Sequence, residues 1–306
     1  MNKPYAIGVD LGGTNLRVAV VTRDGRIVEK IKVSTCTEVI NNLIGSIERL
    51  FSDEVNGIGL AIAGVIDADS KRITSCPNLR LIEDIQIVDI IKDRFKVPVF
   101  LENDAYVATI GESVAGVGKG FDSFVLLTLG TGIGGGVIHN GSPLKIAAEL
   151  GHIIVEIGGR RCGCGSQGCL EAYASARAMI EAAIDGINDG RDSAMRGQIE
   201  PGSGNLQPAD IYRYAIEGDA FATEILKTAG RYLGSGIASF INIFSPQAVI
   251  LTGGLTGAWD IYVQEAIRWA SENSFKELYA KTQIIPSSLG DDAGLIGAAC
   301  LTFGHK

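Results

Sequence analysis

Long apolar runs are missing from this 306-residue chain. No stretch reaches the roughly 20 residues that a bilayer-spanning helix needs, so membrane insertion is not expected. A basic excess is missing too: 27 Lys and Arg stand against 35 Asp and Glu, for a formal net charge of -8, and no local basic cluster stands out. Nucleic acid is therefore a poor expectation as partner. The opening MNKPYAIGVDL lacks the charged, apolar and cleavage regions of a secretory leader. A cytoplasmic chain without a disulfide framework is the expectation. Also absent is a helix directly after the first glycine cluster, where a P-loop or dinucleotide fold would place one. What the chain has is 46% hydrophobic residues, enough core for two domains, and 40 glycines gathered in short clusters. Such clusters let backbone amides approach a phosphate.

Tyr5 to Asp10 is apolar and ends in an aspartate, Gly12-Gly13-Thr14 follows, and Leu16 to Thr22 is rich in β-branched residues. With the Asp24-Gly25 turn and a third strand from Arg26 to Val33, this reads as a three-stranded meander with a glycine hairpin. Thr35 and Glu38 read as a capping box for a helix striped by Ile40, Leu43, Ile44, Ile47 and Leu50. A strand from Gly57 to Ile62, a helix near Ile87 to Phe95 and a strand from Val97 to Leu101 complete a βββαβαβ half.

The pattern then restarts. Phe124 to Leu129 is a strand, Gly130 to Gly136 a glycine turn, Val137 to His139 a strand and Asn140-Gly141 a hairpin turn. A duplicated α/β fold is expected, each half offering one glycine hairpin to a polyphosphate. Residues 185–208 read as a polar loop or insertion. A helix-rich tract from Ala209 to Ile243, a strand from Ala248 to Thr252 ending in Gly253-Gly254, a strand from Gln283 to Pro286 and a last apolar helix close the chain.

Between Glu149 and Glu171 lie His152, Cys162, Cys164 and Cys169, with glycines at 163, 165 and 168. Three thiolates and an imidazole can close a tetrahedron around zinc, and four protein ligands leave no open position, so the zinc is expected to be structural. A disulfide among these cysteines is the alternative. A pinned loop would fix Glu149 and Glu171 as hydrogen-bond acceptors. Cys36, Cys76 and Cys300 read as small buried hydrophobes, His139 as a surface hairpin residue and His305 as a tail residue.

Asp104, in Glu102-Asn103-Asp104-Ala105, precedes a helical pattern from Tyr106 to Ser113. It reads as a helix N-cap, and a helix N-terminus would also keep its carboxylate ionised to accept a proton from a substrate hydroxyl. Asp10 is either a solvated strand end or a partner for magnesium held partly through water. The turns Gly12-Gly13-Thr14, Thr131-Gly132 and Gly253-Gly254 are weak signals singly and stronger together.

These segments, with Asp10 to Thr14, Glu102 to Ala105, Leu129 to Gly136, Glu149 to His152, Cys162 to Glu171 and Thr252 to Gly254 as they stand, resemble the ROK sugar kinases and repressors over nearly the whole chain. The resemblance implies a duplicated ribonuclease-H-like, actin-like ATPase fold, with two lobes around a central cleft. The expected lobes are residues 1–112, joined by a C-terminal helix at about 291–306, and 113–290 with the cysteine loop. It further implies that Asp104 is the catalytic base and that Gly64, Asn78, Asn103, Asp104, Glu149, His152 and Glu171 bind the sugar. His152, Cys162, Cys164 and Cys169 would hold zinc, His152 serving metal and sugar through different ring nitrogens. Asp10, Gly12, Gly13, Thr14, Thr131, Gly132, Gly253 and Gly254 would bind ATP and magnesium. Ala63 replaces a frequent proline and Tyr106 a frequent asparagine, departures that bear on the choice of sugar. Val65 stands where N-acetylmannosamine kinases of the family can place an arginine.

The expected activity is ATP-dependent phosphorylation of a hexose 6-hydroxyl, glucose first, with N-acetylmannosamine, N-acetylglucosamine or another hexose as the alternative. A sugar-responsive repressor is the rival from another class, disfavoured because only four residues precede the first strand. A homodimer or homotetramer follows from the resemblance.

Overall fold

The computed structural model describes residues 3–35, 38–67, 72–76, 79–83, 85–199 and 206–304. Asn78, Cys36 and His305 lie outside the described residues. The first half runs β1 (Tyr5–Leu11), β2 (Asn15–Thr22), β3 (Ile27–Ser34), α1 (Val39–Leu50), β4 (Val55–Ile62), a short hairpin of β5 (Val65–Ile66) and β6 (Ile73–Ser75), α2 (Ile87–Phe95), β7 (Val99–Asn103) and α3 (Asp104–Ala115). Its five-stranded sheet has the order β3-β2-β1-β4-β7. The meander is antiparallel, and β4 pairs in parallel with both β1 and β7.

Alternation along the central strands decides which helix sits where. Ile7, Val9 and Leu11 of β1 and Ile58, Leu60 and Ile62 of β4 bury one face with Leu43 and Ile47 of α1 and Ile91 of α2. The other face carries Ala6, Gly8, Gly59 and Ala61, and there the last helix, α11 (Asp292–Leu301), packs. A Cβ on Gly8 or Gly59 would overlap the carbonyl of Leu295 or Ala298, so small residues on this face are what admit the helix. The crossing of α11 with α3 is reciprocal. A Cβ on Gly111 would overlap the Ala293 carbonyl, and one on Gly297 the Val107 carbonyl.

The second half runs β8 (Phe124–Leu129), β9 (Ile133–His139), β10 (Ser142–Pro143), α4 (Glu171–Ala174), α5 (Ala176–Asn188), α6 (Arg196–Ile199), α7 (Pro208–Ile216), α8 (Ala220–Phe244), β11 (Ala248–Thr252), α9 (Gln264–Asn273), α10 (Lys276–Tyr279) and β12 (Gln283–Pro286). Its sheet order, β10-β9-β8-β11-β12, repeats the first: counted in chain order within each sheet, third, second, first, fourth and fifth strand. The fold is thus the duplicated ribonuclease-H-like one. Asn140 and Gly141, at φ 51° and 72°, form the expected tight turn.

The chain divides into two compact units. One holds Met1–Asp122, Gly136–Lys145 and Ser287–Lys306, the other Ser123–Gly135 and Ile146–Pro286. The first unit thus runs past residue 112 and takes in the outer part of β9, where Gly136 is set against Thr109 of α3 with no room for a Cβ.

Three local expectations differ from the structure, which also adds a short hairpin. Helix α1 starts at Val39 with Glu38 at its N-cap position and no side-chain cap, because Thr35 is used elsewhere. The second glycine turn is confined to Gly130–Gly132, since Gly134, Gly135 and Gly136 belong to β9. A Cβ at 135 would crowd Leu150 and the Leu126 carbonyl. Helix α5 runs to Asn188 and α6 occupies part of the expected loop; Met179, Ala183 and Ile187 bury one side of α5. The hairpin β5–β6 carries no strong sequence periodicity and was not anticipated.

Candidate functional site

In the first unit, β1 ends in Asp10-Leu11 and the chain turns through Gly12-Gly13-Thr14 into β2, with Gly13 and Thr14 exposed. Gly12 N–H donates to the Asn15 carbonyl at 3.0 Å. Thr35 holds the turn from outside: its hydroxyl donates to the Gly12 carbonyl at 2.8 Å and its N–H to the Thr14 carbonyl at 2.9 Å. Asp10 Oδ2 accepts from Arg17 at 3.0 Å, and Arg17 also pairs with Asp291 at 2.6 Å. Burial pushes the Asp10 carboxyl up, with the Arg17 guanidinium opposing.

At the end of β7 the N-cap of α3 is Asn103, not Asp104. Asn103 Oδ1 accepts from the N–H groups of Ala105 and Tyr106 at 3.0 and 3.2 Å, while its Nδ2 donates to the Gly64 carbonyl at 3.2 Å. Asp104 is the first helical residue, its Oδ1 accepting from the Ala105 N–H at 2.8 Å. The division of labour follows from backbone geometry: Asn103 is extended (φ -62°, ψ 141°), so its amide folds over the helix end. Asp104 keeps the favourable field of the helix N-terminus without being consumed as the cap.

In the second unit, the turn between β8 and β9 is held by Gly130 N–H to the Gly132 carbonyl at 3.0 Å and Ala176 N–H to the Gly130 carbonyl at 2.9 Å. Glu171, the first residue of α4, adds a charged hold: its Oε2 accepts from Ile133 N–H at 2.9 Å. A Cβ on Gly132 would push that oxygen aside. The other oxygen, Oε1, takes Arg177 at 3.2 Å, and the Glu171 side chain is only 14% exposed. Glu149 is 56% exposed, with one oxygen 3.9 Å from His152 Nε2. Gly253 follows β11 at φ 98°, where a Cβ would overlap the Leu129 carbonyl, so glycine is required twice over.

The cysteine loop folds back on itself through Cys162 N–H to Ser166, Gly168 N–H to Arg160 and Val155 N–H to Gly168, with Gly165 and Gly168 at φ 93° and 79°. Leu170 N–H bonds the Ile153 carbonyl at 2.9 Å, tying the residue before Glu171 to the residue after His152. One nitrogen or sulfur from each of His152, Cys162, Cys164 and Cys169 lies within 4.8 Å of all the others. Cys162 Sγ is 3.5 Å from His152 Nδ1, and Cys164 Sγ is 3.7 Å from Cys169 Sγ. A tetrahedral ion about 2.3 Å from sulfur and about 2.05 Å from nitrogen would space these pairs at about 3.6 and about 3.8 Å. The donor set therefore fits a metal ion. Burial pushes the Cys169 thiol up to about 12, so a cation is what would let these thiols ionise together. His152 turns Nδ1 to the thiols and Nε2 toward Glu149.

The structure thus joins Gly64 with Asn103 and Asp104, and Glu171 with Gly132 and Ile133. Sequence reasoning missed Thr35, Arg17 and Arg177. Thr35 was masked by its spacing from Glu38, and nothing in the sequence pairs Arg177 with Glu171.

A model of the ROK family matches residues 6–304. The chain belongs to the ROK family. Among its relatives is a glucokinase of Thermotoga maritima, 35% identical over 98% of this chain and 98% of the relative. A solved ROK family glucokinase from Streptomyces griseus, in complex with glucose and AMPPNP, superposes with a TM-score of 0.81 at 33% identity, covering 97% of this chain and 98% of that one. A xylose repressor of Bacillus subtilis is 28% identical over 98% of this chain and 77% of its own length. Among the described residues of this ROK protein no helix is long and apolar enough to cross a membrane.

Proposed function

We propose that this ROK protein is an ATP-dependent hexose kinase that phosphorylates glucose at the 6-hydroxyl. The observation that carries the reading is Asp104 at the first turn of α3, in a chain similar over nearly its whole length to glucokinases. The Asp104 carboxylate, at the N-terminus of α3, takes the hydroxyl proton as the sugar oxygen attacks the γ-phosphorus and ADP leaves. In this reading Gly64, Asn78, Asn103, Asp104, Glu149, His152 and Glu171 hold the sugar hydroxyls. The amides of Gly13, Thr14, Thr131 and Gly132 receive phosphate oxygens, Gly12 shapes the first turn through its N–H on the Asn15 carbonyl, and Gly253 and Gly254 face the adenosine.

Magnesium bound near Asp10 would neutralise phosphate charge. Arg17 occupies Oδ2 of Asp10, which leaves Oδ1 for a hydrated ion. His152 Nδ1 and the thiolates of Cys162, Cys164 and Cys169 would hold a structural zinc, which supplies fixed positive charge and pins the loop between Glu149 and Glu171. We place the protein in the cytoplasm as a homo-oligomer, which light scattering on the purified protein would read.

The deciding experiment is a panel of hexoses and amino sugars with ATP and magnesium, scored for phosphorylated product. Glucose is expected to give a higher kcat/KM than N-acetylmannosamine or N-acetylglucosamine, because Val65 offers no donor to an acetamido oxygen. An N-acetyl sugar preferred over glucose overturns the substrate and leaves the kinase. No product from any sugar, with sugar binding intact, favours a sugar-sensing role like that of the repressor relative.

A further inference from the structure

We propose that Glu83 is a positioning residue for sugar binding: its carboxylate anchors the Cys76 backbone, and through it the Ala63-Gly64 segment, against Asn103. The inference rests on the kinase reading and extends it to a residue beyond the expected sugar contacts. Glu83 Oε1 accepts the Cys76 N–H at 2.7 Å. Cys76 is 1% exposed and its thiol donates to the Ala63 carbonyl at 3.2 Å. The next carbonyl, Gly64, accepts from Asn103 Nδ2, and Asn103 Oδ1 caps the helix that begins at Asp104. Leu79 N–H closes back on the Cys76 carbonyl at 2.9 Å, and the turn Arg80–Ile82 then brings Glu83 round, pinned by the fully buried Ile82.

The chain of contacts needs an anchor. Ala63-Gly64 and Cys76 flank the hairpin β5–β6, two and three residues long, and a two-stranded hairpin of that size is marginal alone. Of the two bonds that Cys76 makes through its thiol and its N–H, the thiol is a weak donor, whereas a carboxylate on a backbone N–H is a strong, charge-assisted acceptor. Glu83 therefore decides where the Gly64 carbonyl sits, and Gly64 in turn orients the amide of Asn103.

The test is steady-state kinetics with glucose and ATP, glucose titration calorimetry and thermal melting on the wild type, Glu83→Ala and Glu83→Gln. Glu83→Ala is expected to raise the glucose KM and Kd about tenfold, as for loss of a hydrogen bond to a charged group, with kcat and the ATP KM little changed and the melting midpoint lowered by a few degrees. Glu83→Gln keeps an oxygen acceptor and is expected to restore most of the affinity. Unchanged glucose affinity in Glu83→Ala overturns the inference. So does a parallel loss in kcat and ATP KM, or a Glu83→Gln as weak as Glu83→Ala. Should Glu83→Ala not fold, Cys76→Ala cuts the same relay at the thiol and is expected to raise the glucose Kd about threefold, no change overturning the inference. A wild type that binds glucose without phosphorylating it ends the kinase reading while the calorimetry still reads Glu83; one that does neither overturns both.

Discussion

The turn at Gly12–Thr14 is held by a neutral group, the Thr35 hydroxyl on the Gly12 carbonyl, and by strand β3 behind it. Its counterpart at Gly130–Gly132 is held by a carboxylate, Glu171 on the Ile133 N–H, and Glu171 also belongs to the proposed sugar set. The two turns occupy the same place in the topology of their halves. Duplication preserved the position of the turn and not its support. If the turns grip phosphate as proposed, the difference teaches that such a turn can be held independently of the second substrate, as the first would be, or made dependent on it, as the second would be. If sugar draws on Glu171, the second turn feels the sugar and the first does not.

The largest effect lies outside both turns and sets the scale for the others. Asp104→Asn keeps the size and an oxygen that can accept from the Ala105 N–H, and leaves the Asn103 cap intact. It is expected to lower kcat by roughly two to four powers of ten with glucose affinity changed far less. Rapid-quench turnover near wild type would leave Asp104 without a role as base.

Next comes the carboxylate that distinguishes the second turn. Gly132→Ala drives the Glu171 oxygen off its place, so both glucose KM and ATP KM are expected to rise, each by about tenfold. Among the described residues, the Cβ of Gly12→Ala meets only the Asn15 carbonyl, at 3.4 Å, and the substitution is expected to affect ATP alone. Should both substitutions affect the two substrates alike, the contrast between the turns is wrong.

Metal removal acts on the same region from the other side. The protein is expected to contain about one zinc per chain, and Cys164→Ser to lose it and weaken glucose binding by loosening Glu149 and Glu171. Metal analysis of chelator-free protein, paired with calorimetry, reads both. Protein without zinc, or a variant with normal glucose affinity, refutes the pinned-loop idea.

The smallest effect is expected from Thr35→Val. It removes one hydrogen bond, about 1 kcal/mol, and so raises the ATP KM about fivefold without touching glucose. A shift in glucose KM of the same size would mean that the first turn, too, is coupled to the sugar.

Much of this was legible in the residues. The strands Phe124–Leu129, Ala248–Thr252 and Gln283–Pro286 and the helix Ile87–Phe95 carry their pattern locally, in apolar runs and stripes bounded by turn residues. The candidate metal cluster was legible because Cys162, Cys164 and Cys169 are close in sequence and His152 is ten positions away. The capping residues were not. Thr35 with Glu38, and Asp104 before a helix, both have the composition of a cap, and composition does not say whether a stronger partner lies elsewhere. Thr35 found Gly12, 23 positions back, and Asn103 took the cap that Asp104 could have filled.

The amino-acid order by itself determined the repeated strand pattern, the glycine turns and the cluster of three thiols and an imidazole, since each depends on periodicity or on neighbours a few residues apart. Only the tertiary structure decided who holds them. The Glu171 carboxylate meets an N–H 38 residues away, Asn103 a carbonyl 39 residues away, and Gly111 and Gly297 let α3 and α11 cross at backbone distance. Hydrogen-bond partners at that separation are chosen by which surfaces the packed sheets and helices bring together, and a polar side chain accepts whichever partner that packing leaves it.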